Sequence, residues 1–290
     1  MESYFEDPHP GLHAHSDEGE GAGIVSIMAS RGCPFDCIYC DHTIKGYSPR
    51  YRPVGSVIEE IRLLLERYGD KIEEFYFWDD IFIWDRRWVR RFCEELIEED
   101  LSIKWTCNCH VNLVRPRLMA LMKEAGCVNV RFGIESGSQK ILDSLNKGVR
   151  VEKALDALRV CLDTGLTLTI YIMVGMTGES LETINETMDF FRRLITPSRV
   201  YQIKKIHFFM LTPYPGTRLY KKVLEDGLVG DVSQFLQRRC DAYYDIPLNI
   251  SGHTDQELLR LKNKLEDGIA LILEEETNLF HKLLLEMKGG

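Results

Sequence analysis

From Gly23 onward, short apolar runs alternate with segments whose apolar residues recur at helical spacing. Residues 23–29, 74–78, 103–109, 128–134, 166–174 and 200–211 read as strands. Between them, residues 54–68 carry Val57, Ile58, Ile61, Leu64, Leu65 and Tyr68 at helix period, and 118–125, 153–164 and 182–194 behave alike. Gly126 and Gly165 sit where helix C-caps are expected. Strands that alternate with helices imply a parallel sheet with right-handed crossovers. Several strands are apolar throughout, which predicts helices on one face and a packed interior on the other. Six such units are too few for a closed eightfold barrel. The predicted fold is α/β, a partial (βα)6 barrel of parallel strands with a helical C-terminal extension.

The predicted boundaries follow from the same pattern. Residues 1–22 form a flexible lead-in, 23–220 the barrel, and 221–290 the extension, in which 255–287 reads as one or two long helices. The 290 residues carry 36 Lys+Arg against 45 Asp+Glu, a net charge of −9, which argues against a chain built to coat nucleic acid. The start is acidic and shows no secretory pattern, and no apolar run approaches the ~20 residues of a membrane span. With nine cysteines, an odd number, a disulfide framework is not expected. The N-x-[ST] matches at Asn185 and Asn249 then read as chance, and the expected location is cytoplasmic.

The chemistry concentrates in one loop directly after the first strand, Ser30-Arg31-Gly32-Cys33-Pro34-Phe35-Asp36-Cys37-Ile38-Tyr39-Cys40. Three thiolates at C-x3-C-x2-C can hold three corners of a cubane iron–sulfur cluster and leave the fourth iron open for a non-protein ligand. A structural zinc site is the other reading, with His42 as fourth ligand, but two residues beyond Cys40 that ring crowds the loop. Three buried core cysteines are a further reading.

This run resembles the cluster loop of the radical S-adenosylmethionine superfamily, with Tyr39 as the aromatic before the last cysteine. Further similarities follow in order: Phe77-Trp78-Asp79-Asp80-Ile81-Phe82, then Gly133-Ile134-Glu135-Ser136-Gly137-Ser138, then Leu211-Thr212-Pro213-Tyr214-Pro215-Gly216-Thr217. Together they resemble the branch of cobalamin-dependent radical enzymes and methylthiotransferases, over about residues 23–220. The resemblance implies an enzyme whose [4Fe–4S] cluster, held by Cys33, Cys37 and Cys40, reductively cleaves S-adenosylmethionine. The product is a 5′-deoxyadenosyl radical for hydrogen abstraction or methyl transfer. The cofactor site would include Tyr39, Asp79 and Asp80 near the amino group, Glu135 and Ser136 near the ribose, and Lys147 near the carboxylate. Met173, Gly175 and Leu211 would lie along the adenine.

Bland readings stand beside these. Asp79 or Asp80 could cap the helix expected after residue 85, Glu135 and Lys147 could be solvated, and Met173 could be core. The chain reads Gly175-Met176-Thr177-Gly178, with Thr177 where the family usually has Pro. His110 and Asn112 stand where relatives often have Arg and Asp. Trp105, Cys107 and Cys109 share a strand face by period two. If that face is interior, Cys107 or Cys109 could donate hydrogen to a radical, and otherwise both are small core residues. Arg86, Arg87, Arg90 and Arg91 could touch RNA or an acidic electron donor, or form a solvated face. His9, His13 and His15 could bind adventitious metal.

Only 22 residues precede the barrel, so cobalamin is possible but not expected within this chain: either the chain works without it, or a cobalamin domain lies on another polypeptide or is missing from this sequence. The expected partners are a small-molecule or peptide substrate and a reducing protein such as flavodoxin or ferredoxin, with neither membrane nor nucleic acid. A non-catalytic electron-transfer protein is the competing class, and four cysteine ligands would be expected of it.

Overall fold

The computed structural model describes residues 23–41, 48–229, 232–236, 246 and 248–288. His42, His9, His13, His15 and the expected lead-in lie outside the described residues.

Six strands form one sheet: β1 (Ile24–Ile27), β4 (Glu74–Phe77), β5 (Trp105–Cys109), β6 (Cys127–Glu135), β7 (Thr167–Val174) and β8 (Ile203–Met210). They lie side by side in chain order, and every pairing is parallel. Strand order without a reversal puts all crossovers on one face, which curls the sheet toward a barrel, and β1 and β8 do not pair. The helices of that face are α1 (Val54–Tyr68), α2 (Arg86–Glu98), α3 (Pro116–Glu124), α4 (Gln139–Ser144), α5 (Val151–Asp163) and α6 (Leu181–Leu194). Alternate strand residues meet them in one apolar core, including Val25, Ile27, Phe75, Phe77, Val130, Phe132, Leu168 and Ile170. Phe77, Phe82, Phe92 and Trp105 pack there edge to face or tilted at centroid separations of 4.8–5.8 Å.

The other strand face departs from expectation. It carries Tyr76 and Trp78, Thr106 and Asn108, Asn129 and Arg131, Thr169 and Tyr171, and Lys205 and His207, a polar and aromatic lining rather than a packed apolar interior. Asn129 Nδ2 donates to Thr169 Oγ1 at 3.1 Å and the Tyr76 hydroxyl to Asn108 Oδ1 at 3.0 Å, so these buried groups are mutually satisfied.

Two short strands were invisible to periodicity. β2 (Ser30–Arg31) and β3 (Arg50–Tyr51) pair antiparallel and bracket the cysteine loop. After β8 come α7 (Arg218–Glu225), α8 (Val232–Leu236) and a single α9 (Asp255–Lys288). Leu258, Leu265, Ile269 and Ile272 of α9 are buried in the same core as the sheet. Gly126 and Gly165 do end their helices with φ of +89° and +80°, and a Cβ at Gly126 would lie 2.0 Å from the Ile103 carbonyl oxygen. Among the described residues no helix is long and apolar enough to cross a membrane.

Candidate active site

The cysteine loop lies across the C-terminal ends of the strands, where barrels of this kind carry their chemistry. Several independent bonds hold it there. Asp80 Oδ2 accepts from the Gly32 amide at 2.9 Å, and Asp79 accepts from the Ala29 amide at 3.2 Å and from the Ser30 hydroxyl. Ile38 N–H donates to the Leu145 carbonyl at 3.1 Å, and the Ile38 carbonyl accepts from Leu219 N–H at 2.9 Å. Asn146 Nδ2 donates to the Asp36 carbonyl at 2.6 Å, and Arg218 pairs with the Asp36 carboxylate at 3.0 Å. Asp79 and Asp80 therefore do not cap a helix: the cap of α2 is Asp85, whose Oδ1 accepts from the amides of Arg87 and Trp88.

Beneath the loop lies a cavity of about 660 Å3, within the range of small-ligand sites. Its lining brings together Cys33, Cys37, Cys40, Tyr39, Asp79, Asp80, Glu135 and Lys147 from four separate strand ends and loops. Burial raises the Cys33 thiol to about 11, assisted by the neighbouring Cys40 and Cys37. Cys37 is also raised by burial, with Lys147 pulling the other way. Among the described residues no three His, Cys, Asp or Glu side chains converge as ligands of a single ion do. Three thiols from one loop on one cavity suit a cubane, which takes its cysteines at three different irons, better than a mononuclear site.

Beside Cys37 stands a buried ion pair. Lys147 Nζ lies 2.8 Å from Glu135 Oε1, and both side chains are under a tenth exposed. The Tyr39 hydroxyl donates to the same oxygen at 2.9 Å, and Lys147 Nζ also donates to the Tyr39 oxygen at 3.1 Å. Burial opposes the Lys147 charge, but Glu135 and Cys37 more than offset it, and the ammonium is held above its ordinary range. Glu135 owes its aim to the backbone. The register with β7 shifts between Gly133 and Glu135, a bulge, and Glu135 itself has φ +68°. Such left-handed non-glycine residues cost on the order of 1–3 kcal/mol and cluster at functional sites. Gly133 leaves room for the pair, since a Cβ there would lie 2.3 Å from Glu135 Oε1.

The remaining expected residues divide. Met173, Leu211 and Tyr39 belong to an adjoining apolar cluster with Ile38, Ile141 and Leu145, beside the loop. Gly175 has φ +114° and packs toward Leu258 of α9. Ser136 is turned away, its hydroxyl 3.2 Å from Thr187 Oγ1 of α6 and accepting from the Ser138 amide. Cys107 sits in the helix-side core with its sulfur 3.6 Å from that of Cys109, and only Cys109 reaches the cavity wall. The interior face of β5 carries Asn108 and His110 instead. His110 stacks on Phe35 of the loop at 3.6 Å and 11°, accepts at Nδ1 from the Asn112 amide, and has a buried Nε2 with no partner among the described residues. Burial together with Lys147 and Lys153 lowers its pKa to about 3. Asn108, Arg131 and Tyr171 also line the cavity, and only strict alternation along β5–β7 could have marked them.

The fold and this thiol-lined mouth define a radical S-adenosylmethionine partial barrel. Residues 27–191 match the family described as the Radical SAM superfamily, and the chain belongs to it. The family implies a [4Fe–4S] cluster and S-adenosylmethionine. Over 214 residues the chain is 33% identical to an uncharacterized methyltransferase of Pyrococcus horikoshii, covering 73% of this chain and 44% of that one. It is 27% identical to the bacteriochlorophyllide d C-12(1)-methyltransferase of Chlorobaculum tepidum, covering 86% and 53%. The chain thus spans about half the length of these relatives. The fold resembles the radical S-adenosylmethionine methyltransferase TsrM from Kitasatospora setae, solved with cobalamin and a [4Fe–4S] cluster. That likeness has a TM-score of 0.61 and 20% identity, and covers 71% of this chain and 40% of that one. OxsB, a cobalamin-dependent radical enzyme, gives a TM-score of 0.66 at 16% identity, covering 91% and 47%.

Proposed function

We propose that this cavity is the active site of a radical S-adenosylmethionine enzyme that generates a 5′-deoxyadenosyl radical for hydrogen abstraction or methyl transfer. The observation that carries the reading is the meeting of three thiols and the Tyr39–Glu135–Lys147 group on one cavity at the strand ends. We assign Cys33, Cys37 and Cys40 as the cluster ligands. With a reduced cluster bound there, S-adenosylmethionine is cleaved reductively, chemistry that belongs to the cofactor. The chain's own residues bind and orient. Both bonds that fix Glu135 fall on Oε1, which leaves Oε2 as acceptor for the ribose hydroxyls. Lys147 keeps one of its three protons for the ligand's carboxylate. Asp79, with both oxygens engaged by Ala29 and Ser30, we assign to positioning the loop, and Asp80 to the ligand's ammonium. Met173 and Leu211 form the apolar wall for adenine, beside Gly175.

Methyl transfer is favoured within this reading by the methyltransferase names of the relatives, and cobalamin would then come from another domain or chain. A reducing protein and a cytoplasmic setting belong to the same proposal.

Anaerobic reconstitution should give about four irons and four sulfides per chain. The triple variant Cys33→Ala/Cys37→Ala/Cys40→Ala should stay colourless. With dithionite and S-adenosylmethionine the reconstituted protein should release 5′-deoxyadenosine. A full cluster that neither responds to S-adenosylmethionine by EPR nor yields 5′-deoxyadenosine would leave an electron-transfer protein instead.

A further inference from the structure

A groove of about 1290 Å3 runs between the first turns of α2 and α3, beside the cavity mouth. Its rim carries Arg86, Arg87, Arg90, Arg91, Arg115 and Arg117 against the lining acids Asp85 and Glu94, with Glu95 paired to Arg91. Arg90 and Arg91 pair with Glu94 and Glu95 at 3.4 and 2.7 Å. Among the described residues Arg115 bonds only backbone carbonyls, those of Asn112 and Val114. Arg86, Arg87 and Arg117 form no ion pair among the described residues. In a chain of net charge −9, this is a concentrated patch of the opposite sign. Its floor is apolar, with Leu113, Leu118 and Leu121. Arginine and aromatic side chains over an apolar floor are the composition of protein interfaces, and the volume exceeds the ~300–1,000 Å3 of small-ligand pockets.

The groove is also wired to the cysteine loop. Trp84, 40% exposed at the rim, meets Phe35 edge-on at 6.3 Å between centroids, and Phe35 stands in the loop between Cys33 and Cys37. We infer that this groove docks a small acidic one-electron carrier protein, seated over Trp84, so that its electron enters beside Phe35. This rests on the proposed function, which needs one electron from outside per cleavage. In the step itself the carrier is oxidised by one electron and the group held at the three cysteines is reduced by one, and no bond changes. Nucleic acid fits less well, because the chain's overall field repels a polyanion beyond this one patch.

The test is the double reversal Arg87→Glu/Arg117→Glu. Both changes place Glu in the first turn of a helix, where the macrodipole favours it, so folding should be kept. Oxidised flavodoxin is the probe for anaerobic calorimetry on the full chain. Reduced flavodoxin and dithionite are then compared as reductants of the reconstituted cluster, followed by bleaching of its absorbance. The expected result is binding and flavodoxin-driven reduction at least about ten-fold weaker in the variant, as lost steering would give, with the dithionite rate unchanged. The wild-type binding should also weaken as salt shortens the Debye length toward about 8 Å. Equal flavodoxin affinity in both proteins, no binding to the wild type, or displacement of flavodoxin by tighter-binding single-stranded RNA would each overturn the assignment. If dithionite bleaches no cluster in either protein, the function reading falls, and the calorimetry alone decides the docking surface.

Discussion

The Glu135–Lys147 pair offers a direct test of how the site is built. Lys147→Met keeps the length and apolar stem of the side chain and removes its charge, leaving the Glu135 carboxylate buried with Tyr39 as its remaining partner. At the 2.8 Å separation, an effective dielectric of about 20 gives an attraction of about 6 kcal/mol. Desolvation offsets much of that in the intact pair, but a single removal exposes the full penalty of the orphaned charge, about 3–5 kcal/mol. Glu135→Gln should cost a similar amount by orphaning the ammonium. The double variant buries no charge, so it should be more stable than either single one. The assay is urea unfolding of the cluster-free chain at neutral pH, with the melting temperature as a second measure, expected to fall roughly 6–20 °C for Lys147→Met. A loss below about 1 kcal/mol for that change would mean the groups are not held as a buried ion pair. Strictly additive losses in the double variant would show that they do not act on each other.

Two further outcomes follow from the same cavity. His110 is folded with a pKa near 3 against an ordinary 6.5, so folding favours its neutral form and stability is lost as pH falls below 6.5. From pH 7.5 to 5 that loss should be about 2 kcal/mol, while Asp79, raised by burial to about 6 from 3.8, gains roughly 1 kcal/mol over the same interval. His110→Asn, which keeps an acceptor for the Asn112 amide, should therefore gain about 2 kcal/mol on wild type at pH 5 relative to pH 7.5, and parallel pH curves would refute the assignment. Gly133→Ala should push a methyl against Glu135 Oε1 and Lys147 Nζ, cost about 1–3 kcal/mol and weaken S-adenosylmethionine binding by calorimetry, and an unchanged affinity would count against the pair as part of the ligand site.

The barrel was legible because the residues facing the helices are apolar in every strand, so period two and period 3.6 stand out together. Less legible is the opposite face, which only strict alternation marks: Arg131 and Tyr171 alternate with core residues and make an apolar-looking strand line a polar cavity. Periodicity could not show β2 and β3, two residues each, whose pairing depends on a contact across the cysteine loop. For Cys107 and Cys109 alternation gives a shared face without saying which side of the sheet it lies on, and the structure puts both in the helix-side core, the small-core reading, with Cys109 also reaching the cavity wall. The groove was split in the sequence between residues 84–94 and 113–121, and it exists only because α2 packs on α3.

The acids at the end of β4 show why a motif and its role come apart. An aspartate at a strand end looks the same in sequence whether it accepts from a ligand, from a helix amide or from a neighbouring loop. Here Asp85 takes the helix, and Asp79 is saturated by Ala29 and Ser30 on the strand-to-loop junction of β1. Holding that junction fixes where Cys33 begins, just as Leu145, Asn146, Arg218 and Leu219 fix the turn that carries Cys37 and Cys40. The anchors come from three places, the end of β4, the segment after α4 and the start of α7, so the three thiols are placed only when these have come together. A loop anchored from elements this far apart in sequence couples presentation of its cysteines to the folding of the barrel between them. That coupling explains why residues far apart in sequence, Asp79, Asn146 and Arg218 among them, all terminate on eleven consecutive positions, Ser30 to Cys40, and their neighbours.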